Sequence, residues 1–312
     1  MDEEEIKWDL GALSLPLQEF DQRLTWLNAK ERRIVCRKIQ RVKGVARQRA
    51  LIVANEFPEP QGRAKEYRDK IIQRYKDTVL TGKVLPDPPV RGPYGYAYIP
   101  LKEGAKPFRA KPFKLHGEKE RAYLKITKDW LAHNYLEPPE AFGEWLSQGF
   151  PVEKDPSSAD PYRGVADMRG VNAESKRDNF PLPKIEDILI KQGANQIFSI
   201  IDLKQAFHQQ PLHPDSRPIT CTYTPLGIFQ WRVNIMGLMN SSQQFQQMME
   251  DRLKSVSEFT TPFIDDILVG TRAEEGEDLY EKHYLQVCRV MEILEKDQFV
   301  GDLKKAHFLF QK

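Results

Sequence analysis

Two aspartates stand between two short apolar runs near the end of the chain, and this feature constrains the fold most. Phe263 and Ile264 precede Asp265 and Asp266, and residues 267–269 are again apolar. Such runs predict a strand hairpin that is held in a core and carries both carboxylates at its tip. Like charges this close repel, and burial is costly unless each is paired, protonated or metal-bound. A divalent metal ion is the simplest remedy, and an ordinary polar hairpin turn is the alternative.

A third aspartate, Asp202, ends another apolar run at residues 198–201. If that predicted strand lies beside the hairpin, three carboxylates converge. Oxygen ligands without histidine or cysteine suit Mg²⁺ or Mn²⁺. Two such ions can activate an attacking 3′-hydroxyl and stabilise a leaving pyrophosphate. The carboxylates therefore indicate phosphoryl transfer of the kind that polymerases perform.

The rest of the chain predicts short strands that alternate with helices from about residue 96 onward. Apolar periodicity and helix-breaking residues place the helices at residues 118–134, 183–192, 241–253 and 277–295, and further strands at residues 218–223, 228–233 and 306–310.

The first 90 residues differ in character. Residues 28–53 combine many basic residues with apolar residues at helical spacing, which predicts a basic amphipathic helix. A second helix is predicted at residues 64–79. The proline-rich residues 85–93 interrupt regular structure. We therefore predict a helical N-terminal segment and linker at residues 1–90 and a second domain at residues 91–312. The basic helix either binds nucleic-acid phosphates or packs its apolar stripe on the rest of the protein.

The cellular location is limited by what the sequence lacks. No apolar run reaches the length of a membrane span, and the acidic start is unlike a secretory signal. The three cysteines lie far apart, which argues against a zinc site or a disulfide framework. We expect an intracellular protein without membrane contact, in the cytoplasm, including virus-like particles, or in the nucleus, and not secreted.

A series of motifs in a fixed order resembles the reverse transcriptase of gypsy-class LTR retrotransposons and, more distantly, of retroviruses. They extend over about two thirds of the chain, at residues 99–107, 162–172, 180–183, 198–209, 237–240, 245–246, 263–268 and 304–308. The resemblance implies an α+β fold with the fingers and palm of a right-hand polymerase, its palm a ferredoxin-like antiparallel sheet with helices behind. It also implies that the thumb, connection and RNase H domains are absent from this chain.

The resemblance assigns the reaction centre to four residues. Asp202 and Asp265 would bind two Mg²⁺ ions, with Mn²⁺ as a substitute, and Asp266 would support them more loosely. Lys305 falls where the family carries a lysine near the leaving pyrophosphate, as a proton donor. The alternative for Lys305 is a plain surface lysine.

The resemblance also assigns a nucleotide site. The backbone amides of Gln205 and Ala206 would face the triphosphate, as amides in a concave turn can. Phe207 would be the steric gate that excludes a ribose 2′-hydroxyl, and its alternative is a core aromatic. Lys154 and Arg163 would hold the β- and γ-phosphates, although either alone is more often a solvated charge.

Two further positions complete the assignment. Gly237 would let the templating base or the nucleotide approach the backbone closely. Phe263 would contact the primer end, at a position where the family usually has tyrosine. The loss of that hydroxyl removes a hydrogen bond and leaves the stacking surface.

The function that the resemblance implies is RNA-directed DNA synthesis: transfer of deoxynucleotides to a primer 3′-hydroxyl. Its partners would be RNA and DNA template-primer, dNTPs and, within a polyprotein, RNase H, integrase and protease domains. The alternative is an inactive or domesticated retroelement fragment that binds nucleic acid without catalysis. All three aspartates are present, which favours the enzyme.

Overall fold

The structure, a computed structural model, describes residues 59–139, 143–153 and 161–311. These residues belong to one compact unit that runs from Pro58 to Lys312. The basic helix predicted at residues 28–53 lies outside the described residues.

The described residues form helices that match most of the predicted ones, with small shifts at their ends. The α helices are α1 (Gly62–Tyr75), α2 (Gly117–Ala132), α3 (Arg169–Glu174), α4 (Ile185–Gln192), α5 (Ser241–Arg252) and α6 (Leu279–Lys296). Short 3₁₀ helices lie at Ala206–Gln209, Pro214–Thr220 and Lys254–Val256. Within these ranges, no helix combines the length and apolarity that a membrane crossing needs.

Nine strands in the same residues form two sheets. They are β1 (Leu136–Glu137), β2 (Ser147–Glu153), β3 (Tyr162–Ala166), β4 (Ile197–Asp202), β5 (Thr222–Thr224), β6 (Gly227–Trp231), β7 (Thr260–Phe263), β8 (Asp266–Thr271) and β9 (His307–Gln311). The first sheet has the order β1-β6-β5-β2-β3, and the second has the order β7-β8-β4-β9.

The second sheet, the palm, is antiparallel throughout and carries α5 and α6 on its buried side. Ile201 and Ile267, which are fully buried, belong to the same apolar cluster as Met248 of α5 and Met291 of α6. A proline at position 262 removes a ladder donor, so the sequence predicts a bulge or an edge position there. Pro262 pairs regularly with Ile267, and β7 is an edge strand.

The first sheet belongs to the fingers and has a separate apolar cluster. Its centre includes Tyr123 and Trp130 of α2, together with Trp231 of β6. The rings of Trp130 and Trp231 meet edge to face with centroids 4.7 Å apart. This aromatic packing fixes α2 over the sheet, since such ring pairs add stability beyond the area they bury.

The strand predicted at residues 218–223 is wrong over most of its length. Residues Pro214–Thr220 form a 3₁₀ helix, and the strand is only Thr222–Thr224. Pro214 is placed at the start of the helix, where a missing amide costs nothing. The side chain of His213 accepts a hydrogen bond from the Asp215 amide at 3.3 Å and caps the first turn.

Helix α1 contributes to the palm although it precedes the proline-rich loop. Ile71, Tyr75 and Val79 are at most 1% exposed and belong to the palm cluster. The Tyr75 hydroxyl donates to the carbonyl of Cys288 in α6. The division near residue 90 stays a prediction, and the structure adds that the chain before it helps to form the palm core.

Candidate active site

The palm sheet brings the three aspartates to one edge. Asp202, the last residue of β4, is the cross-strand partner of Asp266, the first residue of β8. The Leu203 amide donates to the Asp265 carbonyl at 2.8 Å, which ties the end of β4 to the hairpin. Cross-strand partners have Cβ atoms about 4.5 to 5.5 Å apart. The predicted convergence of the two strands is therefore present in the backbone.

The hairpin turn lies one residue earlier than the sequence suggests. Phe263 pairs with Asp266, so the two turn residues are Ile264 and Asp265, and Asp266 already belongs to β8. Ile264 has φ of 56°, a left-handed conformation that a β-branched residue rarely adopts. Asp265 consequently projects from the turn and is exposed, whereas Asp266 is half-buried.

A glutamine of α5 holds this turn. The Gln246 side chain, fully buried, accepts from the Ile264 amide at 2.6 Å and donates to the Pro262 carbonyl at 2.9 Å. The side-chain nitrogen of Gln246 also lies 2.9 Å from a carboxylate oxygen of Glu250. Because a buried backbone group without a partner is costly, Gln246 stabilises the strained turn that carries the aspartates.

The site is short of positive charge. Burial, together with the nearby charge of Asp265, raises the pKa of Asp202, and Lys305 opposes this shift. Burial, Asp265 and Asp202 together raise the pKa of Asp266 to about 6. The Lys305 ammonium lies 3.3 Å from both carboxylate oxygens of Asp202. In the described part of the chain, the ammonium of Lys305 opposes the shifts at Asp202 and Asp266, and its side chain is 63% exposed.

The segment before β9 presents Lys305 to the site. The Asp302 amide donates to the Asp202 carbonyl at 2.9 Å, and the Lys305 amide donates to the Asp302 carbonyl at 3.0 Å. The Asp302 carboxylate lies 2.7 Å from the ammonium of Lys204. Sequence reasoning missed Lys204 and Asp302, because an isolated lysine and aspartate carry no recognisable spacing.

The donor set suits a divalent ion. Among the residues that the structure describes, no three carboxylate, imidazole or thiol groups are already arranged to hold one. Lys305 instead neutralises Asp202, and the side chain of Asp265 points from an exposed turn. The residues fit a hard cation nonetheless, since they supply only oxygen and hold unbalanced negative charge at a half-buried edge.

The turn after Asp202 leads into the 3₁₀ helix Ala206–Gln209. Gln205 is left-handed, with φ of 49° and ψ of 45°, and is exposed, while Ala206 is buried. Phe207 is half-buried, and its ring meets the buried ring of Phe245 edge to face at 5.8 Å between centroids. The three predicted nucleotide-site residues therefore follow Asp202 directly, with Phe207 braced from α5.

Gly237 follows Met236, the residue that Arg163 contacts. Gly237 has φ of 103°, which favours glycine, and an added Cβ would lie 3.5 Å from a backbone oxygen. Arg163 is an exposed residue of β3, and its guanidinium lies 3.9 Å from the sulfur of Met236. Asn172 donates to the Gly237 carbonyl at 2.7 Å and accepts from the Met239 amide at 2.8 Å. Asn172 thus fixes this loop.

Two predicted residues remain to be placed. Phe263 is half-buried and closes the hairpin turn opposite Asp266. Lys154 lies outside the described residues.

Comparison with known proteins gives sequence relatives of this chain. Residues 152–310 match the protein family described as Reverse transcriptase (RNA-dependent DNA polymerase). The chain is 29% identical over 220 residues to the enzymatic polyprotein of Figwort mosaic virus (strain DxS), covering 69% of this chain and 31% of that protein. It is 28% identical over 199 residues to the retrovirus-related Pol polyprotein from transposon opus of Drosophila melanogaster, covering 64% and 19%. The chain spans less than a third of the length of these curated relatives.

Solved structures show the same fold. The foamy viral protease-reverse transcriptase in complex with RNA/DNA hybrid superposes with a TM-score of 0.66 at 19% identity, covering 81% of this chain and 32% of that one. The foamy viral protease-reverse transcriptase dRH in complex with double-stranded DNA gives a TM-score of 0.65 at 20% identity, covering 82% of this chain and 42% of that one. The α+β fold expected from the sequence is confirmed.

Proposed function

The chain belongs to the reverse transcriptase (RNA-dependent DNA polymerase) family, and we propose that it transfers deoxynucleotides to a primer 3′-hydroxyl on RNA and DNA templates. The observation that carries this is the pairing of Asp202 with Asp266 across β4 and β8, with Asp265 at the adjoining tip. Members of this family generally use divalent metal ions. The reaction is a nucleotidyl transfer with two such ions.

The three carboxylates have different roles. Asp202 and Asp265 would hold two Mg²⁺ ions, or Mn²⁺ in their place, with Asp266 in support. When bound, the ions activate the 3′-hydroxyl and neutralise charge on the leaving pyrophosphate. Lys305 is already at the carboxylate edge, 3.3 Å from Asp202, and is the proton donor to the pyrophosphate.

The residues around the carboxylates orient the substrates. The amides of Gln205 and Ala206 face the triphosphate, and Lys154 and Arg163 hold its outer phosphates. Phe207, braced by Phe245, occupies the space that a ribose 2′-hydroxyl needs. Gly237 receives the templating base or the nucleotide, and Phe263 stacks at the primer end.

The chain would work within a larger protein. Its relatives are named as polyproteins, and its motifs resemble those of the gypsy class. We infer that it is part of a gypsy-class Pol polyprotein with protease, RNase H and integrase domains. Residues 91–312 would be the fingers and palm, preceded by a helical segment at residues 1–90. RNA and DNA template-primer and dNTPs are the ligands of this unit.

Primer extension tests the assignment. Supplied with template-primer, dNTPs and Mg²⁺, the wild type should extend the primer, and Asp265→Asn should reduce extension to background because one carboxylate of the metal site becomes neutral. Asp187→Asn makes the same change on exposed α4 and should retain wild-type extension. Unchanged extension by Asp265→Asn contradicts the site.

A binding measurement separates the enzyme from a non-catalytic relative. A ligand of the native state raises the melting temperature, so Mn²⁺ with a dNTP should do so in the wild type and not in Asp202→Asn. Stabilisation by Mn²⁺ and dNTP without any extension would instead favour a protein that keeps the site but does not catalyse.

A further inference from the structure

The turn that follows Asp202 contains a conformation that needs support. Gln205 is left-handed at φ of 49°, which costs a non-glycine residue roughly 1 to 2 kcal/mol. It is exposed on the surface of the turn. Contacts from elsewhere in the fold must therefore hold it, since its own backbone preference opposes this geometry.

The palm holds the far end of the turn. The buried side chain of Gln209 donates to the carbonyls of Lys204 and Val300, each at 2.7 Å, and accepts from the Val300 amide at 2.8 Å. These bonds fix the last residue of the 3₁₀ helix Ala206–Gln209 against the segment before β9. They also hold the Lys204 carbonyl, next to Gln205, but none of them involves the side chain of Gln205, the residue before the helix.

Tyr135 of the fingers contacts both Gln205 and His208. Its hydroxyl donates to the side-chain oxygen of Gln205 at 3.0 Å. Its ring lies against His208, with centroids 4.6 Å apart. Gln205 and His208 are the residues on either side of Ala206 and Phe207, so one side chain touches both flanks of the nucleotide-site residues.

Tyr135 is itself rigidly held. It lies between α2 and β1 and is 1% exposed. Its amide donates to the Trp130 carbonyl, and its carbonyl accepts from the Arg232 amide, both at 2.9 Å. The hydroxyl therefore connects a fixed point of the fingers core to the turn beside Asp202.

We propose that Tyr135 is a positioning residue for the incoming deoxynucleoside triphosphate. By holding Gln205 in its left-handed conformation, the hydroxyl keeps the amides of Gln205 and Ala206 turned toward the phosphates. The inference rests on the proposed function, because it takes these amides as the triphosphate site. It concerns substrate affinity, since Tyr135 lies behind the turn and touches no reacting atom.

Hydrogen–deuterium exchange of the full 312-residue chain tests the positioning without any need for catalysis. Tyr135→Phe removes the hydroxyl and keeps the ring. We expect the amides of residues 203–209 to exchange about threefold to tenfold faster, since a neutral hydrogen bond has a net strength of that order, while those of α6 are unchanged. Exchange at the wild-type rate in residues 203–209 overturns the proposal.

Tyr123→Phe is the matched control. Tyr123 is fully buried in the same fingers core, and its hydroxyl has no hydrogen-bond partner in the described part of the chain. Its loss should leave exchange in residues 203–209 unchanged. Equal acceleration in both variants would mean that the effect is general loosening of the fingers, which also contradicts the proposal.

Steady-state extension supplies the functional test. Tyr135→Phe should raise KM for dNTP about threefold to tenfold with kcat within about twofold, and in a Gln205→Ala background it should add nothing, because the partner is already gone. A lower kcat at unchanged KM overturns the proposal. Absence of extension by the wild type counts against the proposed function, whereas the exchange result separately decides whether Tyr135 holds the turn.

Discussion

Gln246 shows how one side chain determines where the carboxylates lie. Its side-chain amide forms hydrogen bonds with two backbone groups of the hairpin, the Ile264 N–H and the Pro262 carbonyl, on either side of Phe263. An edge strand has no neighbour to satisfy its outward-facing groups, and here α5 supplies one. The turn can therefore hold Ile264 in its strained conformation and keep Asp265 at the tip.

Replacing Gln246 by leucine should uncouple the hairpin from α5. The Ile264 amide and the Pro262 carbonyl both lose their partner, and each buried group left so costs about 1 to 3 kcal/mol. We expect the free energy of unfolding to fall by about 2 to 6 kcal/mol in urea titrations. Primer extension should slow about 10- to 100-fold, because small displacements of reacting groups are costly.

Gln243→Leu is the control for that change. Gln243 lies on the same helix, and its side-chain oxygen is buried without a hydrogen-bond partner among the described residues. Its replacement should leave both stability and extension near wild type. If Gln246→Leu behaves like Gln243→Leu, the hairpin does not depend on the glutamine.

The sequence predicted the aspartates and missed the residues that hold them, for a physical reason. Asp202 and Asp265 each end or adjoin an apolar run. Such a run is typical of a buried strand and can be recognised from the local sequence. Gln246 and Tyr135 act through partners that are distant in the chain or lie in the backbone. A single glutamine in a helix or a single buried tyrosine has no spacing that reveals such a partner.

At the scale of elements, a buried histidine joins α6 to the palm sheet. His283 has one ring nitrogen 2.7 Å from the Ser199 hydroxyl of β4 and the other 2.6 Å from the Thr271 hydroxyl of β8. The ring is fully buried, and burial lowers the pKa of His283 to about 3. Both partners are neutral, so nothing in this network favours the charged imidazole.

This network predicts that the palm loses stability in mild acid. Because the folded-state pKa of His283 lies below the unfolded value of about 6.5, the unfolded state binds more protons between the two values. Stability is thus present above pH 6.5 and is lost as pH falls toward 3, by about 2 kcal/mol at pH 5. In urea unfolding with chelator, the wild type should have a higher free energy of unfolding than His283→Gln at pH 7. This difference should fall by about 2 kcal/mol between pH 7 and pH 5.

The exposed His116 provides a comparison for this measurement. The change that His283→Gln shows between the two pH values is compared with the change that His116→Gln shows. A His283→Gln change no larger than that of His116→Gln would show that the buried imidazole does not contribute to acid sensitivity.

Element prediction succeeded where periodicity had a single explanation. The apolar periodicity of residues 277–295 predicts a helix, and the structure has it at Leu279–Lys296. The strand at residues 218–223 was inferred from a Pro/Gly turn at residues 225–227 that would join it to the next strand. There Pro214 and the His213 side chain start a 3₁₀ helix, and local capping outweighs a weak β preference.

The described residues hold two apolar cores, one in the fingers and one in the palm, and α1 belongs to the second. Arg91, in the loop that connects α1 to the fingers, is 4% exposed and donates to the carbonyls of Gln209, Asp297 and Gln298. The guanidinium also lies 3.9 Å from the ring centre of Phe299. The proline-rich loop is therefore anchored to the palm, although its composition predicts a linker.

The domain arrangement can be tested by two truncations. A chain of residues 58–312 retains α1 and should unfold cooperatively. A chain of residues 83–312 loses Ile71, Tyr75, Val79 and Leu80, all buried in the palm core. Each such side chain contributes about 1.5 to 3 kcal/mol, and their sum approaches the roughly 5 to 15 kcal/mol that a domain has in total. We expect calorimetry to show no cooperative transition for the shorter chain. A sharp transition at the wild-type temperature would instead mean that the domain begins near residue 90 and that α1 only rests on its surface.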